Sequence, residues 1–168
     1  MTFGNLQIRP LRENDSLEEL TELLHRAYKK LADMGLQYLA THQAVDVTRT
    51  RISKGTCYVA ELDERIVGTI IYRNPGQTKG APHYDRPDIA YIGQMAVEPA
   101  FQGRGIATSL IRHVETQARS DGASELAFDT SEQAAHLIEW YRRMGYEIVG
   151  YVKWDVTNYR SVIMSKRV

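Results

Sequence analysis

The feature that most constrains how this 168-residue chain can fold is an apolar, strand-like run, Ile89 to Val97, that passes through Gly103-Arg104-Gly105 into an amphipathic helix. From Gly105 to Ser120 the apolar residues Ile106, Leu110, Ile111, Val114 and Ala118 recur at helical spacing. A strand that leads through a loop to a helix and on to another strand makes a crossover, so the sheet needs a parallel pair there, with the helix covering one face. The first turn of such a helix offers backbone N–H groups that have no partner within it, aligned with the positive end of its dipole. Gly103 and Gly105 would let phosphate oxygens approach those groups without a Cβ in the way, and Arg104 and Arg112 could add charge nearby. A pyrophosphate suits such a loop. The pattern also fits a plain tight turn, or the first two glycines of a dinucleotide-binding loop with Asp129 as the ribose-binding acid. Against the last, Thr108 stands where a third Gly or Ala belongs, and the glycines do not follow Val97 directly. No Gly-Lys-Ser/Thr follows, which excludes a Walker loop.

The rest of the chain supplies elements around this unit. Leu6, Ile8 and Leu11 alternate as a short strand; Asp15 and Ser16 are candidate caps ahead of Leu17, Leu20, Leu23, Leu24 and Leu31, which share a helical face. Gly35 interrupts, and a weaker helix is expected between His42 and Ile52. Thr56 to Arg73 reads as a hairpin about Asp63-Glu64, with Cys57 as a small core residue. Asn74 to Asp88, with its prolines and glycines, is a long irregular connection of the kind found at binding sites. Leu126 to Asp129 is another strand, and Thr130-Ser131-Glu132-Gln133 fits a capping box for a helix reaching Met144, with Gly145 as its C-cap. Tyr146–Trp154 and Ser161–Lys166 close the chain as strands, with Trp140 and Trp154 packed on the sheet. This order predicts an α+β fold: a mixed, mostly antiparallel central sheet flanked by helices, in a single domain over residues 1–168.

Charge and cysteine content narrow the function classes. Twenty-one Lys and Arg balance twenty-one Asp and Glu, so the chain lacks the broad positive field that holds nucleic acid or an anionic membrane. Its single cysteine cannot form an internal disulfide, and no Cys or His spacing matches a metal site. The start of the chain has no signal-peptide pattern and Ile66–Tyr72 is too short to span a bilayer, which points to the cytoplasm.

With these residues in view, the segment Gln102-Gly103-Arg104-Gly105-Ile106-Ala107 resembles the Q/R-x-x-G-x-G/A signature of the GNAT superfamily of acyl-CoA-dependent N-acetyltransferases. Met95-Ala96-Val97-x-Pro99 resembles that family's fourth strand, and Tyr141-Arg142-Arg143-Met144-Gly145-Tyr146 its late Y-x-x-x-G-F/Y helix end. The resemblance covers nearly the whole chain. It implies acetyl-CoA as cofactor, its pyrophosphate on the backbone amides of Gln102, Gly103, Arg104, Gly105, Ile106, Ala107 and Thr108, and its pantetheine arm beside Met95, Ala96 and Val97. It further implies a gap between the fourth and fifth strands for the thioester, the N–H of Met95 on the thioester oxygen, and Tyr141 as proton donor to the departing thiolate. Direct transfer to a primary amine of a small-molecule or peptide acceptor follows, without an acyl-enzyme. Family members often form homodimers. The family's early asparagine and alanine in the last helix fall at Ala134 and Leu137, a departure that bears on contacts to pantetheine.

A base for the amine proton is not fixed by the resemblance; Asp129 and Glu98 are candidates, and Asp85 and Asp88 could make an acidic acceptor site for a cationic amine. Two rival functions share the glycine loop: a non-catalytic acyl-CoA-binding regulatory module, and a nucleotide-dependent oxidoreductase.

Overall fold

A computed structural model describes residues 4–168. Its centre is a seven-stranded sheet, whose strands in chain order are β1 (Leu6–Pro10), β2 (Thr56–Leu62), β3 (Arg65–Arg73), β4 (Ile89–Val97), β5 (Glu125–Ser131), β6 (Glu147–Val152) and β7 (Ser161–Arg167). Across the sheet they lie in the order β1-β2-β3-β4-β5-β7-β6. Every neighbouring pair is antiparallel except β4 and β5, the pair joined by the crossover. This is the mixed, mostly antiparallel α+β sheet that the element order predicts.

Four helices cover it: α1 (Leu17–Asp33), α2 (Val45–Ser53), α3 (Ile106–Ser120) and α4 (Ala135–Arg143). Ser16 starts α1, its hydroxyl accepting the Glu19 N–H at 3.1 Å. The leucine face of α1 then lies on one side of the sheet, where Leu20 meets Cys57 and Ile71, and Leu23 and Leu24 meet Ala96. On the other side Ile106, Leu110, Ile111 and Val114 of α3 pack with Tyr58, Ile70, Tyr72, Ala90 and Leu126. Alternate residues of one strand, Ile70, Ile71 and Tyr72, thus serve opposite faces, as the pleat requires. At roughly 1.5–3 kcal/mol per fully buried large apolar side chain, these two layers supply the main favourable term of the fold.

The β2–β3 hairpin turns at Asp63 and Glu64, both at positive φ (48° and 65°), the paired left-handed conformation of a two-residue turn. The weaker second helix begins later than expected, at Val45, after a short 3-10 turn over Leu39–Thr41. The capping box at Thr130–Gln133 is overturned. β5 continues through it, Thr130 pairing with Val162 and Ser131 with Ser161, and α4 starts behind Ala134, which makes no side-chain cap. Sheet pairing with β7 claims the residues that local pattern assigns to a helix start. Ser131 still stabilises the bend, its Oγ accepting the Gln133 N–H at 3.1 Å, while Glu132 pairs with Arg160 at 2.8 Å. Gly145, at φ +96°, follows α4 as expected.

Candidate active site

Two departures from regular sheet geometry create the site. The β4–β5 pairing runs only from Ile89/Glu125 to Tyr91/Ala127, although β4 continues to Val97 and β5 to Ser131, so the strands part beyond Tyr91. On its other edge β4 carries a bulge: Thr69 pairs with Ala96 and Ile71 with Gly93, which leaves Gln94 and Met95 opposite the single residue Ile70. Gln94 is at φ +49°, a conformation that is uncommon for a residue with a side chain and persists only when its surroundings enforce it.

Side-chain contacts from outside the sheet enforce it. Gln94 is 4% exposed, and its Oε1 accepts from Gln43 Nε2 at 3.0 Å. Gln43, 2% exposed, also donates to Thr48 Oγ1 at 2.7 Å, and its own Oε1 accepts from Arg51 Nη1 at 2.8 Å. Thr48 in turn is 2.7 Å from Thr21 Oγ1 on α1, and Tyr28 of α1 donates its hydroxyl to the Met95 carbonyl at 2.8 Å. The bulge is therefore locked from α1 and α2. Gln43→Leu is expected to lower stability by about 1–3 kcal/mol, the usual penalty when buried polar groups lose their partner. A urea titration reading an unchanged midpoint would count against this lock.

A cavity of about 610 Å³ opens where β4 and β5 part. One end is built by the start of α3. Gly103 and Gly105 sit at φ +76° and +85°, and a Cβ placed on either would meet no protein atom within 4 Å. A 3-10 turn, Pro99–Phe101, delivers the chain to them, and the Gln102 side chain donates to the Val97 carbonyl at 3.1 Å, tying the loop back to β4. The amides of Gly103 through Thr108 have no acceptor among the described residues; the ladder resumes at Ser109, whose N–H donates to the Gly105 carbonyl. Consecutive free donors at a helix start form an anion cradle that fits a diphosphate.

Of the residues the sequence singles out, Met95, Ala96, Val97, Gln102, Gly103, Gly105, Ile106, Ala107, Thr108 and Tyr141 all line this cavity. Arg104 does not; its guanidinium lies 5.3 Å over the Phe101 ring, so only its backbone is turned to the loop. Arg112 is outside the cavity as well. Leu137, where the family has alanine, is in the wall. Tyr141 is 8% exposed and packs on Phe128, ring centres 4.2 Å apart. Burial holds its phenol pKa well above the usual range, so it is fully protonated at neutral pH.

Several expectations about the acceptor end are corrected. Asp85 accepts from the Gly80 amide at 3.1 Å and Asp88 pairs with Arg86 at 2.7 Å; neither lines the cavity, so no acidic loop faces it. Glu98 is held by both arms of Arg26, at 2.9 and 2.7 Å, which keeps its carboxyl below the usual range and removes it as a base. Trp154 is not a sheet-packing residue alone: it donates Nε1 to Asp129 Oδ2 at 2.9 Å. Tyr84 donates to Asp129 Oδ1 at 2.7 Å, and burial raises the Asp129 carboxyl above its ordinary value. Asp129 is thus mid-strand with both oxygens engaged, not free at a strand end for a ribose, and the dinucleotide reading loses its acid. Cys57 is in the core, 3.3 Å from Thr69 Oγ1, its thiol pushed up by burial to about 11, and it does not reach the cavity.

Sequence reasoning missed Gln43, Gln94, Arg51, Arg73 and Tyr84. Each lies in a segment whose pattern reads as ordinary helix, strand or loop, and only the tertiary fold brings them together.

Comparison with known proteins agrees with this geometry. A family model described as "Acetyltransferase (GNAT) family" matches residues 17–146. The chain is 32% identical over 131 residues to an S-(2-succino)cysteine N-acetyltransferase of Bacillus subtilis (strain 168), covering 77% of each protein. It is 24% identical over 137 residues to an S-alkylcysteine N-acetyltransferase of the same organism, covering 80% of this chain and 75% of the relative. Its fold matches a GNAT family acetyltransferase from Elizabethkingia anophelis, solved with acetyl-CoA bound, at a TM-score of 0.69 and 15% identity over 98% of this chain and 99% of that one.

Proposed function

The chain belongs to the GNAT family of acetyltransferases, and we propose that it carries the acetyl group of acetyl-CoA directly to the α-amino group of a small S-substituted cysteine, with both substrates bound at once. It is an N-acetyltransferase, and its cofactor is acetyl-CoA. The observation that carries the reading is the row of unpaired amides from Gly103 to Thr108 at one end of a cavity that continues through the β4–β5 gap.

Acetyl-CoA supplies the acetyl group as an activated thioester. The amides of Gly103–Thr108 hold its diphosphate, that of Gln102 being taken by the Pro99 carbonyl, and the unpaired edge of β4 at Met95–Val97 orients the arm. The Met95 N–H, turned by the bulge, donates to the carbonyl oxygen as negative charge grows there; loss of one such donor costs about 3–4 kcal/mol in other acyl-transfer enzymes. Asp129 accepts the proton that the amine must lose before it can attack. A carboxyl whose pKa is raised by burial is a better base than an exposed one. Tyr141 donates a hydrogen bond to the leaving sulfur. Complete transfer from this phenol would leave a phenolate in an apolar wall, so its part is to stabilise the thiolate while solvent returns the proton. Cys57, buried and protonated, is unsuited to an acyl-enzyme, which favours direct transfer.

A thermal scan tests the cofactor: acetyl-CoA at 100 times its dissociation constant is expected to add about 2.7 kcal/mol of stability, and NAD none. Thiol release with an amine panel then tests the transfer. Because a thiol of pKa near ~8.5 is already a fair leaving group, Tyr141→Phe should lower kcat by about tenfold to a hundredfold, at the weak end for acid catalysis, with the acetyl-CoA dissociation constant little changed. Unaltered kcat, with chemistry shown to limit the rate, removes Tyr141 from the reaction.

A further inference from the structure

The acceptor end of the cavity is positively charged. Asp129 is the sole carboxylate among the described residues that line the cavity, while Arg51, Arg73, Lys30 and Lys79 all line it. Neither arginine has a carboxylate partner among the described residues. Each is nonetheless held in place. Arg51 is anchored through Nη1 to Gln43, which leaves its other donors free. Arg73 lies with its guanidinium 4.9 Å over the Tyr91 ring, and its stem passes Gly55, where a Cβ would stand 2.9 Å from Arg73 Cγ. A residue larger than glycine at position 55 would strike the Tyr72 carbonyl oxygen before it reached that stem.

Unmet hydrogen-bonding capacity gathers at the same end. Arg73 Nε, Gln94 Nε2 and Thr78 Oγ1 are buried without a partner, although Gln94 and Thr78 are only 4% and 7% exposed. Buried donors are normally satisfied, so a wall that collects several without partners is one that a ligand completes. Both arginines are half-buried with donors to spare, and a planar carboxylate is the group that the guanidinium fork matches.

We infer that Arg51 and Arg73 form a carboxylate clamp, and that the acceptor is an anionic amino acid, one bearing a side-chain carboxylate in addition to its α-carboxylate. This deepens the acetyl-transfer reading and rests on it. One guanidinium receives the α-carboxylate and the other the distal acid, which places the amino group between them and the Asp129 side of the gap. A simple alkylamine or polyamine, which brings only positive charge, is disfavoured.

Three probes differing only in carboxylates test the clamp: S-carboxymethylcysteine with two, S-methylcysteine with one and 2-(methylthio)ethylamine with none. The expected order of kcat/KM follows the number of carboxylates. In Arg51→Gln and Arg73→Gln the preference for S-carboxymethylcysteine over 2-(methylthio)ethylamine should fall by about tenfold or more each, chiefly through KM, as expected when one charge-assisted contact is lost. Arg73→Lys should recover part of it. The acetyl-CoA thermal shift, retained in each variant, shows that the fold and cofactor end are intact. Calorimetry supplies a readout without turnover: S-carboxymethylcysteine should bind the CoA-loaded protein, and more weakly in both variants. Equal kcat/KM for the three probes, or an undiminished preference in the variants, overturns the clamp while leaving acetyl transfer standing. Calorimetric binding that depends on the arginines, with no thiol release from any probe, keeps the clamp and overturns the transfer.

Discussion

Asp129→Asn is expected to lower kcat by about a hundredfold or more without unfolding the protein, the range seen when a positioned base is removed. The substitution preserves the hydrogen bonds: one side-chain oxygen still accepts from Trp154, and the new amide can donate to Tyr84, whose hydroxyl both donates and accepts. Its effect on stability has a definite sign. The folded-state pKa of Asp129 is raised by burial, so the folded chain holds this proton more tightly than the unfolded one. The stabilisation that goes with the bound proton is complete below the unfolded value near 3.8 and is lost as pH rises through the folded value. Asparagine has no proton to lose. The melting temperature of the variant relative to the parent should therefore climb as pH is taken from about 4 to 8. A difference that is flat or falls would mean that Asp129 is not the base of raised pKa proposed above.

Gly105→Val should remove acetyl-CoA binding altogether. At φ +85° a β-branched residue is strained whatever space surrounds it, and although its Cβ would meet no protein atom, it would stand over the amides that receive the diphosphate. A loss of more than about a hundredfold in affinity is the expected result, seen as disappearance of the acetyl-CoA thermal shift that the parent shows, because both the approach to the donors and their alignment fail. Gly103→Ala is the milder companion, since alanine tolerates φ +76° at a cost of about 1–2 kcal/mol. Undiminished binding by Gly105→Val would place the diphosphate elsewhere.

Much of the scaffold is legible in the sequence. The strand–glycine–helix unit forces a parallel pair into an otherwise antiparallel sheet, and β4–β5 is that pair. The leucine face of α1 and the apolar face of α3 are periodic enough to fix which sides are buried. The misreadings come where local pattern competes with sheet pairing. Thr130 and Ser131 have the chemistry of a helix cap, yet seven paired positions with β7 outweigh one capping hydrogen bond. The cofactor end was readable because its donors are consecutive in the chain. The proposed acceptor end was not, because Arg51, Arg73 and Asp129 come from α2, β3 and β5 and line one cavity only in the folded molecule. Their charge is invisible in a chain whose total is zero.

The side chain of Gln43 touches both halves of the proposed reaction at once, Arg51 of the proposed acceptor clamp and the side chain of Gln94, the positive-φ residue before Met95. A protein wired this way cannot retune which molecule it accepts by altering α2 while leaving its chemistry unaffected. Redesign for a new acceptor should accordingly move affinity and turnover together, and the first compensating changes should arise at Gln43 and its neighbours rather than among the groups that touch either substrate.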